Sequence, residues 1–310
     1  MSIAFVFPGQ GAQTIGMGKA LAETYPEAKA VFEEVNDALG EDLSALIWEG
    51  EADTLTLTEN AQPALMATSM AALAALRAEG IEVTRADFVA GHSLGEYSAL
   101  CAAGALSLAD TARLLRIRGR AMQSAVPVGE GAMAAILGLS ADAVEQVVQD
   151  AAQGDVCQLA NENDPTQNVI SGTKTAVDRA VVLAKQAGAK RALPLPVSAP
   201  FHCALMQPAA DAMAAALADV LLQNPRVPLV ANVRAEAVLD AADIKSLLVA
   251  QVTGRVRWRS SVEWMVFHGV REFWEIGAGK ALSGMIRRIA KESTCRAVGS
   301  PDDIAGVLSA

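Results

Sequence analysis

"FVAGHSLGEYSALCAAG", residues 88–104, decides how the chain folds. The apolar run Phe88-Val89-Ala90 reads as a buried strand, and the alanine-containing stretch after Gly95 favours helix. Strand, sharp turn and helix in that order are the unit of an α/β protein with a central parallel sheet. The turn itself, Gly91-His92-Ser93-Leu94-Gly95, matches G-x-S-x-G. In that pattern a serine occupies a strained turn, and its flanking glycines let backbone approach closely. The helix that follows offers free N–H groups and a favourable dipole for a developing oxyanion. Ser93 is therefore a candidate nucleophile, with a serine N-cap as the alternative.

A serine hydroxyl needs a base, and the chain has only three histidines. His92 adjoins Ser93, and neighbours in an extended segment point to opposite faces, so its expected role is support of the turn. His268 precedes Gly269 at the end of a helical stretch, where histidines interact with free carbonyls. His202 follows a predicted strand on a loop of the kind that holds catalytic groups, which makes it the candidate base; an ordinary loop histidine is the alternative.

The helical stretch "SLADTARLLRIRGRAMQSA" carries arginines that do not share a face. Arg113, Arg116 and Arg120 fall in one arc expected to face water. Arg118 points the other way, among Leu114, Leu115, Ala121, Met122 and Ala125. A guanidinium on an apolar stripe needs an anion. Either a protein carboxylate or a substrate carboxylate gripped bidentately could supply it.

Further out, "IAFVF" followed by Pro8, Gly9 and Gly11 reads as a strand ending in a tight loop, then a helix over residues 17–39. A second helix is expected to open at Pro63 and close at Gly80. Residues 128–197 have their own rhythm: strand 132–139, helix 141–152, strands 156–162 and 167–172, helix 176–188, strand 191–197. That order, βαββαβ, is ferredoxin-like. The expected fold class is α/β: a large α/β-hydrolase-like body with a central parallel sheet, residues 1–127 and 198–310, interrupted by an inserted ferredoxin-like subdomain, residues 128–197.

Composition narrows the function. Of 310 residues, 52% are hydrophobic and 19% charged, which points to a folded enzyme-like chain. A net charge of -10 argues against non-specific nucleic-acid binding. Cys101, Cys157, Cys203 and Cys295 lack C-x-x-C spacing, so neither a zinc cluster nor a disulfide framework is expected. The first residues carry no basic leader, and no apolar run reaches eighteen residues. A cytoplasmic location fits both. A nucleotide-binding module is a poor fit: "GQGAQTIG" has Thr14 where a third glycine belongs, and "GAGKA" lacks the Ser/Thr of a P-loop.

Taken together, "FPGQGAQ" (7–13), "GHSLGEYSAL" (91–100), Arg118-Gly119, "NENDPTQNVISG" (161–172), "SAPFH" (198–202), "VRW" (256–258) and "EIGAGKALSGM" (275–285) make the chain similar to a known family. It resembles malonyl-CoA:acyl carrier protein transacylases of fatty-acid synthesis and the related acyltransferase domains of polyketide synthases, over nearly its whole length.

The resemblance implies that Ser93 forms an acyl-enzyme, that His202 is general base and then acid, and that Arg118 binds the malonyl carboxylate. It implies an oxyanion hole from the N–H groups of Gln10 and Leu94, a main-chain carbonyl in the Gln251 segment that orients His202, and Asn163 near the cleft. Phe201 resembles the form found in malonyl-selective relatives, where an aromatic ring fills the space of a 2-methyl branch. One departure is Arg255, where many members carry proline before the valine of "VRW". No cofactor is implied, since phosphopantetheine is carried by the partner. That partner, an acyl carrier protein, is expected on a basic patch at Arg287, Arg288 and Lys291, or at Lys190 and Arg191. A serine hydrolase of patatin type and an acyltransferase serving polyketide assembly are the rival readings.

Overall fold

The computed structural model describes residues 2–197 and 199–309; Ser198 of "SAPFH" lies outside the described residues. In chain order the strands are β1 (Ser2–Phe7), β2 (Phe88–Gly91), β3 (Gly131–Leu137), β4 (Cys157–Asp164) and β5 (Gln167–Thr173). They continue with β6 (Arg191–Pro194), β7 (Leu229–Val230), β8 (Ala237–Val238), β9 (Val270–Ile276) and β10 (Thr294–Val298). One six-stranded sheet has the order β10-β9-β1-β2-β7-β8 and is parallel except for the β8 edge. The expected α/β class with a central parallel sheet is what the chain forms.

β1 shows why the sheet carries helices on both faces. Its alternate residues Ile3, Phe5 and Phe7 pack into the main core, and Ala4 and Val6 pack into a second core with Trp258, Val262 and Met265. In the order β9-β1-β2, the chain leaves β1 toward β2, while β9 lies on the other flank. A crevice opens at such a reversal, beyond the carboxyl ends of the strands. The loops after β1 and β2 carry "PGQG" and Ser93 to it.

The second sheet is antiparallel, order β4-β5-β3-β6, with helices Ala141–Ala152 and Lys174–Gln186, which is the ferredoxin-like arrangement. Its helices cover one face: Ala134, Ile136, Leu159 and Ile170 share a core with Val144, Val148 and Val177. The alternate residues Met133, Ala135, Asn161, Asn163 and Val169 turn to the crevice of the larger sheet. Two stitches fix this placement. Val256 pairs with the β4 edge, its N–H donating to Ala160 O at 2.8 Å and its carbonyl accepting from Glu162 N at 2.9 Å. Arg288 donates from Nε to the buried Asp164 carboxylate at 2.6 Å.

Local expectations were corrected at three points. The helix expected over 17–39 is split into Lys19–Thr24 and Pro26–Leu39, because Pro26 cannot continue a helix but starts one well. The helix expected to open at Pro63 opens at Thr58 and contains Pro63. Arg116, expected to face water, is 7% exposed and pairs with Glu41 and Asn60; Arg113 and Arg120 are exposed as expected. Among the described residues no helix is long and apolar enough to cross a membrane.

The C-terminal half of "EIGAGKALSGM" is held by a carboxylate. Glu275, fully buried at the end of β9, accepts from the N–H groups of Leu282 (3.0 Å) and Ser283 (2.7 Å). These are free donors of the first turn of the helix Ala281–Ile289, so Glu275 caps from a distance a helix whose Ala281, Leu282 and Met285 line the crevice.

Candidate active site

Ser93 sits at φ 53°, a left-handed conformation that a side chain other than glycine adopts only under constraint. Its neighbours supply that constraint. A Cβ on Gly91 would lie 1.9 Å from the backbone of Gly95, and one on Gly95 would lie 2.3 Å from Phe7 O. Both glycines of the motif are thus demanded by contact. Asn232, just past β7, clamps the turn: Oδ1 accepts from Ser93 N at 2.9 Å and Nδ2 donates to Gly91 O at 2.7 Å. The "PGQG" loop presses on the same turn, since a Cβ on Gly9 would lie 2.6 Å from His92 O.

Ser93 Oγ lies 2.8 Å from His202 Nε2, and His202 Nδ1 lies 2.9 Å from the carbonyl of Gln251. A carbonyl only accepts, so Nδ1 carries the proton and Nε2 presents its lone pair to the serine. That carbonyl is available for a helical reason. Gln251 lies in the last turn of the helix Ala241–Thr253, whose carbonyls have no N–H four residues on. The element opposite the imidazole is therefore a helix C-terminus, not a carboxylate. Burial, together with the Arg118 charge, pushes His202 down to about 3.

Arg118 is 1% exposed and reaches the same hydroxyl, with Nη2 3.0 Å from Ser93 Oγ. Nη2 also donates to Gln251 Oε1 at 2.9 Å, and Nη1 donates to Gln62 Oε1 at 2.7 Å. The guanidinium stacks over the Tyr97 ring at 5.7 Å. Among the described residues no carboxylate lies within ion-pair distance of it. The structural salt bridge weighed from the sequence is not formed. Two neutral amide oxygens hold the guanidinium in place without cancelling its charge, and burial lowers its affinity for the proton.

These groups line a cleft of about 420 Å³ between the two sheets, together with Gln10, Leu94, Asn163, Phe201 and Met133. Gln10 is tied by Nε2 to Thr58 Oγ1 at 3.2 Å. Leu94 immediately precedes the helix Gly95–Ala102, so its N–H is at a positive helix end. Asn163 Oδ1 lies 2.9 Å from His92 Nε2, which gives His92 the supporting position expected of it. His268 bonds Trp264 O at 2.8 Å, away from the cleft.

The sequence reading gathered Ser93, His202, Arg118, Gln10, Leu94, Asn163, Phe201 and Gln251, and all except Gln251 line the cleft; Gln251 stands directly behind them. It missed Gln62, Asn232 and Glu96. Each is a fully or nearly fully buried polar residue in an apolar run, "AQPALMA", "PLVANV" and "LGEYSAL". A buried amide or carboxylate in such a run must have a partner, and that was the available signal. Of the basic residues, Arg287 and Lys291 are exposed, as are Lys190 and Arg191, whereas Arg288 is committed to Asp164.

Residues 4–251 match the family model described as the acyl transferase domain. The chain belongs to that family. It is 50% identical over 303 residues to the malonyl CoA-acyl carrier protein transacylase of Bacillus subtilis, covering 97% of this chain and 95% of the relative. The fold superposes with a TM-score of 0.98 on the acyl-carrier-protein-S-malonyltransferase of Bartonella henselae, 57% identical, covering 100% and 99% of the two chains. It superposes at 0.96 on a malonyl-transacylase solved in complex with a type II PKS acyl-carrier protein, 42% identical, covering 100% and 99%. As an acyltransferase of this family, the chain has the elbow, imidazole and guanidinium within one hydrogen-bonded cluster.

A lowered histidine has consequences with a fixed sign. The unfolded chain binds the proton near 6.5 and the folded one near 3. Stability from this group is therefore complete above about 6.5 and declines as pH falls toward 3. In the free enzyme the His202 ring resonance should not titrate between pH 8 and 5 by NMR. In Arg118→Gln its midpoint should move up, because the Arg118 charge, the largest lowering cause after burial, is removed. A wild-type midpoint near 6.5 would contradict the buried neutral imidazole.

Proposed function

We propose that the protein transfers a malonyl group from coenzyme A to the phosphopantetheine thiol of acyl carrier protein, in the cytoplasm, for fatty-acid synthesis. The observation that carries this reading is the buried Arg118 guanidinium, unneutralised, 3.0 Å from the Ser93 hydroxyl. A dry positive charge beside a nucleophile selects an acyl group that brings its own carboxylate. The names of the relatives above support malonyl as that group.

The reaction proceeds in two halves through a serine ester. His202 Nε2 takes the Ser93 proton as Oγ attacks the thioester carbonyl. The oxyanion is received by the N–H groups of Gln10 and Leu94. The carbon–sulfur bond then breaks, the thiolate takes the proton from His202, and coenzyme A leaves. In the second half the carrier thiol gives its proton to His202 and attacks the ester, and Ser93 leaves with that proton.

Arg118 has a second effect in this scheme. Its charge is one reason His202 is a poor base in the free enzyme. A malonyl carboxylate on the guanidinium offsets that charge, so the imidazolium forms more easily when the correct acyl group is present. Serine activation and acyl selection are coupled in this way. An acetyl group gives no such relief.

Intact-mass measurement after mixing with malonyl-CoA should give a covalent adduct that Ser93→Ala abolishes. In Arg118→Ala, malonyl transfer should fall about a hundredfold or more while acetyl transfer changes far less. Equal losses for both acyl groups would remove the carboxylate role of Arg118.

Phe201, buried against the cleft, limits room at the 2-position of the acyl group. Discrimination against one methyl amounts to about 1–3 kcal/mol. Phe201→Ala should narrow the malonyl over methylmalonyl ratio of kcat/KM; an unchanged ratio assigns the discrimination elsewhere.

For the carrier protein, a partner suggested by the complex of the 42%-identical relative, Arg287 is an exposed cation of its helix that makes no salt bridge among the described residues. Arg287→Glu should raise KM for the carrier and leave KM for malonyl-CoA unchanged. If both constants stay as in wild type, docking lies at another surface, with Lys190 and Arg191 next to be reversed.

A further inference from the structure

Glu96 has no role in the chemistry above, yet it is 0% exposed and stands one amide away from Arg118. Its Oε2 accepts from Gln251 Nε2 at 2.8 Å and from Asn232 N at 3.0 Å. Its Oε1 is buried and has no partner among the described residues. On the far side of the same Gln251 amide, Oε1 of that residue accepts from Arg118 Nη2 at 2.9 Å. The amide thus lies between a group that only accepts and a group that only donates.

We infer that Glu96 is a positioning residue for acyl selection: by fixing which end of the Gln251 amide faces Arg118, it sets the guanidinium against Ser93. This rests on the proposed carboxylate role of Arg118 and adds the element that holds it. A glutamine side chain alone could rotate and offer its NH₂ to the guanidinium, two donors face to face. Glu96 prevents that rotation by making the shortest of the bonds from the NH₂ group, at 2.8 Å, with Ser93 O at 3.0 Å and Asn232 Oδ1 at 3.3 Å as the weaker acceptors. The backbone carbonyl of Gln251, which orients His202, belongs to the helix and does not depend on Glu96.

The role is one of hydrogen-bond geometry rather than charge. Burial raises the Glu96 carboxyl to about 7, against bonds from Gln251 and Asn232 and the nearby Arg118 charge. Protonation at the unpartnered Oε1 leaves both bonds at Oε2 in place, so either form holds the amide. The charged and ionisable groups that act on it, Arg118 and Tyr97, then need not change state for Glu96 to act.

The test compares E96A and E96Q with wild type, using malonyl-CoA, acetyl-CoA and a neutral fluorophosphonate that labels Ser93. In E96A, kcat/KM for malonyl-CoA should fall about ten- to a hundredfold, the loss of a buried bond to a charged network. Acetyl transfer and the labelling rate should change by less than about threefold. E96Q, which keeps an oxygen for both bonds, should restore malonyl transfer with an unaltered pH profile. Equal loss of labelling and of both acyl groups in E96A, or an E96Q as impaired as E96A, overturns the proposal. A crystal structure of E96A reads the positioning without any substrate: the Gln251 Oε1 to Arg118 contact should be gone, and its persistence refutes the inference. A wild type with no malonyl preference would count against the proposed function instead, with the crystallographic result still deciding the role of Glu96. If E96A fails to fold, E96D, one methylene shorter, replaces it in every arm.

Discussion

A guanidinium held by two amide oxygens, with no carboxylate within ion-pair distance among the described residues, is the constraint around which the site is arranged. Removing Arg118 from water costs several kcal/mol, and hydrogen bonds to Gln62, Gln251 and Ser93 recover only part of that. A protein carboxylate in contact would be more stable and would leave nothing for a ligand to bind. The chain keeps its nearest buried carboxylate, Glu96, on the other side of the Gln251 amide. The positive charge is oriented by neutral dipoles and stays directed at the hydroxyl.

The same charge sets the character of the histidine. His202 is oriented by the C-terminal turn of a helix, through the buried Gln251 O, instead of by an acid. With no anion at its back and a cation at its front, the imidazole stays neutral in the free protein. Any anion delivered to Arg118 changes that balance. In the proposed reaction, that balance couples what is bound to how strongly Ser93 is activated.

How much of this could be read from the sequence depends on range. The serine turn was legible because its glycines are required by contacts inside a few residues, Gly91 against Gly95, and because G-x-S-x-G between strand and helix has a specific mechanical reading. Arg118 was legible from helical periodicity alone. Arg116 was misread by the same periodicity, since Glu41 and Asn60 come from distant segments that bury it. Gln62, Asn232 and Glu96 were not legible. An amide or carboxylate in an apolar run announces that it has a partner but not which one.

The sequence by itself determined the alternation of strands and helices, the ferredoxin-like insertion, the serine turn and the wrong-facing arginine. All of these follow from local sterics, periodicity and turn chemistry. Only the tertiary structure decided that Ser93, His202 and Arg118 converge, that Arg118 meets amides and not an acid, and that Gln251 supplies the carbonyl behind His202. Those outcomes join residues up to 133 positions apart, Arg118 and Gln251 among them. Hydrogen bonds across such distances are set by how helices and strands remote in sequence pack on one another, and packing is a property of the whole chain.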